Sequence, residues 1–422
     1  MPEPKELSQQ FADEINRFTI EIESLATSFP TIMGMAEMMS RKAQEELGKF
    51  LEQNATSVKD EGDHKNYTLT GDASVKAARV QRKTVNAQRA FILLHRSFLT
   101  SMESQYDSFL GRLLRLIFLA KPEILNASEK EMTFAELTKF DSIQAARDYI
   151  VEKEVESIIR KSHSDHFEWL ERVLGINLRV DLDAWPSFIE LTERRNLFVH
   201  CDGVASSQYI AVCKEHSAKL DEGVAIGAQL DVSKNYLEEA ARCVSEIGVK
   251  LAQVAWRKLL PNEIDKADNQ LNSISFELLH RGDYKLVCRL LDFACMKAVK
   301  HANEEIRRYL VLNRSQAYKW LQDQKRCLEI LNAEDWSACS EKLKIAVAVL
   351  RDDYEAAAKL MPAAEKDEVL HGGYMDWPIF KEFRKSQQFL EAYQRTYGKP
   401  FVIQSTASAN PAGDTAGGKP QA

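Results

Sequence analysis

The stretch "FILLHRSFLTSMESQYDSFLGRLL", residues 91–114, repeats large apolar side chains at Phe91, Leu94, Phe98, Met102, Tyr106, Phe109 and Leu113. Steps of three and four are the period of an α-helix, and a strand would scatter such a stripe over both faces. The same period runs through most of the chain. "LSQQFADEINRFTIEIESL", residues 7–25, sets Phe11, Ile15, Phe18, Ile22 and Leu25 in a coiled-coil-like seam too short to stand alone. Residues 142–175, "SIQAARDYIVEKEVESIIRKSHSDHFEWLERVLG", read as a further helix ending near Gly175. In "DAWPSFIELTERRNLFVHCDG", residues 183–203, Pro186 suits a first helical turn and Gly203 the stop after it. Ser233 is a good N-cap for a helix carrying Tyr236, Leu237, Val244, Ile247, Leu251 and Val254, and Pro261 closes that unit. The methionine-rich segment 31–51 reads as packing filler. The polar stretch 59–72, "KDEGDHKNYTLTGD", reads as the first loop. With only 11 prolines and 17 glycines and almost no strand-like alternation, the expected fold class is all-α.

At 422 residues the chain exceeds one compact core, and 45% hydrophobic with 28% charged residues describes a globular protein. A net charge of −7 argues against broad adsorption to nucleic acid or anionic membrane, while leaving room for a local basic cleft. The opening "MPEPKELSQQF" lacks the apolar core of a signal peptide. "FLGRLLRLIFLA", residues 109–120, is interrupted by Arg112 and Arg115 and is too short to span a bilayer. Seven cysteines without a C-x-x-C pair do not form a disulfide framework, and Cys288 and Cys295 read as small core residues. The expectation is a reduced, cytoplasmic protein that makes no use of a membrane.

Beyond Pro261 three stretches resemble one another: "RGDYKLVCRLL" from Arg281, "LQDQKRCLEIL" from Leu321 and "LRDDYEAAAKL" from Leu350. Each has a polar turn with Asp, then a helix with a small residue (Cys288, Cys327, Ala357) among leucines. Their mean spacing resembles that of tetratricopeptide helical hairpins, although most consensus Trp, Gly and Pro positions are unmet. "MDWPIFKEFRKSQQFLEAYQRTYG" from Met375 reads as a capping helical pair, and the low-complexity end as a disordered tail. The expected division is an N-terminal helical segment, 1–73, a helical bundle, 74–261, a repeat array, 262–401, and a tail, 402–422.

Several chemical signals fail. "GDTAGGKP", residues 413–420, breaks the phosphate-loop pattern at Pro420. His163 and His166, with Asp165, fall short of a zinc motif and read as a solvated polar face, so no metal and no cofactor are expected. His216, His280, His301 and His371 are isolated in sequence and read as surface or packing residues.

"ERRNLFVH", residues 193–200, is different. At about 100° per residue, Phe188, Leu191, Phe198 and Val199 cluster on one arc with Arg195 near its middle. Asn196 and His200 share the neighbouring face beside Glu193. A guanidinium there is costly unless it is paired or faces a polar cleft. Either Arg195 meets a buried carboxylate such as Glu168 or Glu190, with His200 only a helix-end cation, or Arg195 and His200 converge on an anion. The residues alone leave these equal.

The run "ERRNLFVHCDGVASSQYI" resembles the signature of the HEPN superfamily of nucleotide-binding helical domains. That signature is an arginine, four to six residues, then a histidine, with a polar residue, often Asn, after the arginine. Arg195, Asn196 and His200 match it, and Gly203, Tyr209 and the helix from Val232 extend the likeness over about residues 74–260. The resemblance implies an up-and-down bundle acting as a metal-independent endoribonuclease and a homodimer. Arg195 would hold phosphoryl oxygens, His200 would move protons and Asn196 would orient them, with Glu193 and Arg194 supporting. The products would be a 2′,3′-cyclic phosphate and a 5′-OH, and the context that of a toxin or antiviral defence factor. The C-terminal array would then sense, restrain or bind a protein partner. The alternative is a non-catalytic scaffold that binds proteins through that array. The intact Arg-Asn…His motif favours the nuclease, while the acidic charge and irregular repeats keep the scaffold open.

Overall fold

A computed structural model describes residues 6–60, 65–127, 132–364 and 368–402; the phosphate-loop-like segment and nearly all of the expected tail lie outside them. The fold is all-α, with one small hairpin of strands among the described residues. Helix α1 (Leu7–Asn54) joins the apolar seam and the methionine segment into one rod that runs through Pro30. The expected loop at 59–72 contains instead the antiparallel strands β1 (Ser57–Asp60) and β2 (Lys65–Thr68), with Ser57 opposite Thr68. Helix α2 (Asp72–Ala120) then returns along α1. Thr84 donates to the Ala43 carbonyl, and Phe29 packs edge-on against Phe98 at the other end of the shared stretch. Only part of the methionine segment is filler: Met33 is buried, but Met35, Met38 and Met39 are exposed.

After α3 (Phe134–Leu137) comes α4 (Ile143–Ile159), N-capped by Ser142. The single helix expected over 142–175 is broken in two. Ser162 and Asp165 form a reciprocal capping box that starts α5 (His163–Leu174), a stronger local signal than the continuing apolar period. Gly175 ends α5 in the left-handed region, as its position suggested. Helix α6 (Trp185–His200) has Pro186 in its first turn. Gly203 follows at φ +81°, where a Cβ would meet the Phe198 ring, so the stop needs glycine twice over. Helices α7 (Ser207–Glu215) and α8 (Lys234–Leu259) follow; Ser233 caps α8 by accepting from the Tyr236 N–H.

The core of this part lies where α1, α2 and α8 meet. Phe18 stacks on Phe109 at 4.3 Å, and Phe11 stacks on Trp256 at 5.6 Å. Both α1 phenylalanines come from the seam read in the sequence, and both are fully buried. Gly248 on α8 is what admits Phe18, whose ring occupies the place a Cβ would take.

The remaining helices are α9 (Ile264–Arg281), α10 (Tyr284–Ala294), α11 (Glu304–Trp320), α12 (Gln324–Asn332), α13 (Glu341–Leu350), α14 (Tyr354–Leu360), α15 (Glu368–Asp376) and α16 (Gln387–Tyr397). Three turns between successive helices match. Gly282, Gln322 and Asp352 each take positive φ, and the N–H of the following Asp bonds back to Leu278, Tyr318 or Ala348. That Asp then caps the next helix, with Asp283, Asp323 and Asp353 accepting from the N–H three residues on. The small residues Cys327 and Ala357, each four past its Asp, and Cys288, five past Asp283, are all buried. The expected capping pair of helices is α16 preceded by two 3₁₀ turns, Pro378–Phe380 and Phe383–Lys385.

The chain divides into two compact units, one of Met1–Ile274 with Asp292–Ile306, the other of Ser275–Leu291 with Arg307–Ala422. This differs from the sequence division. Helix α1 belongs with the bundle, not to a separate segment, and the boundary falls inside α9 instead of at 262. Residues 292–306 return to the first unit, where His301 and the Ala302 N–H bind the fully buried Asp268, which also accepts from Arg257 at 2.7 Å.

Candidate functional site

The two arginines of "ERRNLFVH" have different surroundings. Arg194 is the buried one, at 3% exposure. It donates to Glu190 at 2.6 Å, to Asp221 at 2.8 Å and to the Asp231 carbonyl, and its guanidinium lies over the Tyr236 ring. Glu190 also accepts from the hydroxyls of Tyr209 and Tyr236. These contacts tie α6 to the segment between α7 and α8 and to α8 itself, so Arg194 is a structural residue.

Arg195 meets neither Glu168 nor Glu190. Glu168 is exposed and Glu190 serves Arg194. Its partner is Glu103 of α2, 1% exposed, with Nη2 2.7 Å from Oε2. That contact is a charge pair off the line of a hydrogen bond, for both Glu103 oxygens and Arg195 Nε have no hydrogen-bond partner. Arg195 Nη1 donates to Asn196 Oδ1 at 3.1 Å, and Asn196 Nδ2 reaches Glu193 Oε1 at 3.4 Å. Arg195 nevertheless keeps 22% of its side chain exposed. Val199, expected on the buried arc, is half exposed, which rotates that arc toward Arg194.

A polar cluster surrounds this pair. His163, the first residue of α5, places Nε2 3.2 Å from Asp107 Oδ1 and 3.6 Å from Glu103 Oε1. His166 is 1% exposed, its ring centroid 5.2 Å from that of His163. The two histidines of the solvated polar face expected at "HSDHFE" therefore turn inward, while Asp165 keeps to the surface as a cap. His216, expected to be isolated, accepts from Trp185 Nε1 and lies 3.0 Å from Ser164 Oγ.

Charge in this cluster is held under tension. Burial, then the neighbouring Asp107, pushes the Glu103 carboxyl up to about 7, with His163 and Arg195 offsetting only part of it. Burial and then His163 push the His166 imidazole down to about 4, which makes it a neutral ring at physiological pH. Burial also raises the half-buried Glu193.

His200 stands apart from this network. It is exposed at the end of α6 and, among the described residues, makes no hydrogen bond or ion pair. The adjoining loop is anchored on α2, where Arg96 reaches Asp202 at 2.6 Å and lies over Phe198 at 5.0 Å. The structure thus brings Arg195, Asn196 and Glu193 into one hydrogen-bonded set, leaves His200 free beyond it, and sends Arg194 elsewhere. Sequence reading missed Glu103 and Asp107, and set His163 aside as part of a solvated polar face. Its available signal was Glu103 itself, which continues the buried positions Leu99, Tyr106 and Leu110 of α2 at helical spacing. No family model, no curated protein and no solved structure matches the chain.

Proposed function

We propose that the α6 site cleaves RNA without a metal, and that the chain belongs with the HEPN-type ribonucleases its Arg-Asn…His motif resembles. The observation that carries this reading is a partly exposed Arg195, held by Asn196, with an unengaged His200 five residues on along the same helix. A phosphate approaching Arg195 competes for a guanidinium whose charge partner, Glu103, lacks hydrogen-bond geometry. His200, an exposed imidazole with two ring nitrogens, can then take the 2′-OH proton or protonate the leaving 5′-oxygen. Arg195 stabilises the charge that grows on the phosphorane.

Two proton transfers and one free histidine favour a homodimer. In support, Met35, Met38 and Met39 of α1 and Ile92 and Leu93 of α2 are exposed on the stretch of the helical hairpin that leads to Arg96, where the loop after His200 is anchored. The three matching turns of the second unit favour a further role for it, docking a protein partner or restraining the nuclease. The test is incubation of purified protein with total RNA in EDTA, beside His200→Ala. Cleavage that needs added Mg²⁺ contradicts the reading.

A further inference from the structure

We infer that Glu103, Asp107 and His163 form a binding site for one divalent cation of the Mn²⁺ or Zn²⁺ class. Glu103 and Asp107 stand one turn apart on α2, and His163 opens α5 against them. Their ligand atoms all lie within 4.8 Å of one another. Bonds of about 2.0–2.2 Å in a tetrahedral shell place neighbouring donors about 3.3–3.6 Å apart. His163 Nε2 lies 3.2 Å from Asp107 Oδ1 and 3.6 Å from Glu103 Oε1, so the imidazole already stands at that separation from both carboxylates.

A second observation points to the same ion. Glu103 is 1% exposed, and no hydrogen bond reaches either of its oxygens. A carboxylate buried in that state is costly, and the single off-line contact with Arg195 occupies Oε2. Oε1 is left on the His163 side, where a cation held by three donors supplies the missing partner. His163 and Asp107 are 12% and 27% exposed, which leaves an entry path and an open position for water. One imidazole with two carboxylates suits a first-row transition ion better than Mg²⁺ or Ca²⁺, which favour all-oxygen shells. The site stands independently of RNA cleavage, which uses no metal in the reading above.

The experiment is metal content and thermal stability of tag-free full-length protein. The protein is stripped with chelator, dialysed against Mn²⁺, Zn²⁺ or Mg²⁺ in turn, and passed over a desalting column. The expected result is one Mn²⁺ or Zn²⁺ per chain, a melting temperature raised by that ion, and at least tenfold weaker retention in both Asp107→Asn and His163→Ala. His280→Ala, in the second unit, serves as the control. Asp107 is partly exposed, so its variant reports even where Glu103→Gln fails to fold. No retained ion in the wild-type protein overturns the proposal, and so does retention by both variants equal to that of the wild type.

Discussion

Arg195 Nη2 lies 2.7 Å from Glu103 Oε2, joining the exposed end of α6 to a carboxylate that is 1% exposed on α2. Removing the arginine therefore strands a buried charge. Arg195→Met is expected to destabilise the metal-free protein by on the order of 1–3 kcal/mol. That is below the roughly 3–5 kcal/mol of a fully buried pair, because Glu103 can take up a proton near neutrality. Glu103→Leu in the Arg195→Met background should recover most of the loss. Urea denaturation of both singles and the double measures the coupling. Equal stability of Arg195→Met and wild type shows that the contact holds nothing.

Phe18 reaches α8 only because residue 248 is glycine. Gly248→Ala is expected to cost about 1–3 kcal/mol through overpacking, despite the better helix propensity of alanine. Phe18→Leu in the same chain should relieve part of it. Thermal melts of the two variants and their combination decide the matter; a stabilised Gly248→Ala protein contradicts the packing described.

Asp268 provides the pH test. Burial opposes its charge, yet hydrogen bonds from His301, the Ala302 N–H and Arg257 hold its carboxyl below the ordinary range. A depressed folded value gives stability that is present above the unfolded value, about 3.9, and is lost as pH falls through the folded one. Asp268→Asn should thus be less stable than wild type at pH 7 by on the order of 3 kcal/mol. The gap should narrow below about pH 4. A gap that stays constant from pH 7 to pH 3 contradicts the ion pairing.

A cut at residue 261 follows the boundary that Pro261 suggests, but it removes Asp268 and residues 292–306 from the first unit. The fragment 1–261 is expected to lose several kcal/mol and to expose apolar surface where Ala267 and Leu271 were buried. Circular dichroism and dye binding, against the full chain, check this. A cooperative, monodisperse fragment as stable as the intact chain contradicts it.

The helices were legible because their apolar period is long and regular: Phe11, Ile15, Phe18 and Ile22 are all buried, as their spacing required. The repeated turns were legible too, since an Asp must cap each second helix. The break at Ser162 was less so, because apolar residues on both sides kept the helical step and only the Ser162–Asp165 capping pair marked it. The partners of Arg195 could not be read at all. Glu103 lies 92 residues earlier in the chain, and no local pattern joins α2 to α6. Likewise, neighbouring arginines look alike in sequence, while tertiary contacts bury Arg194 among Glu190, Tyr209 and Tyr236 and leave Arg195 at the surface.

The central claim is that the α6 site cleaves RNA through His200, and one measurement tests it most directly: cleavage of an end-labelled RNA in EDTA by wild-type protein and by His200→Ala. His200 is exposed and unbonded, so its replacement should leave the melting temperature unchanged. The account predicts metal-free cleavage leaving 2′,3′-cyclic phosphate and 5′-OH ends, and a loss of about 10²-fold or more in His200→Ala. Undiminished cleavage by a folded His200→Ala protein, or no cleavage by wild type until Mg²⁺ is added, contradicts it.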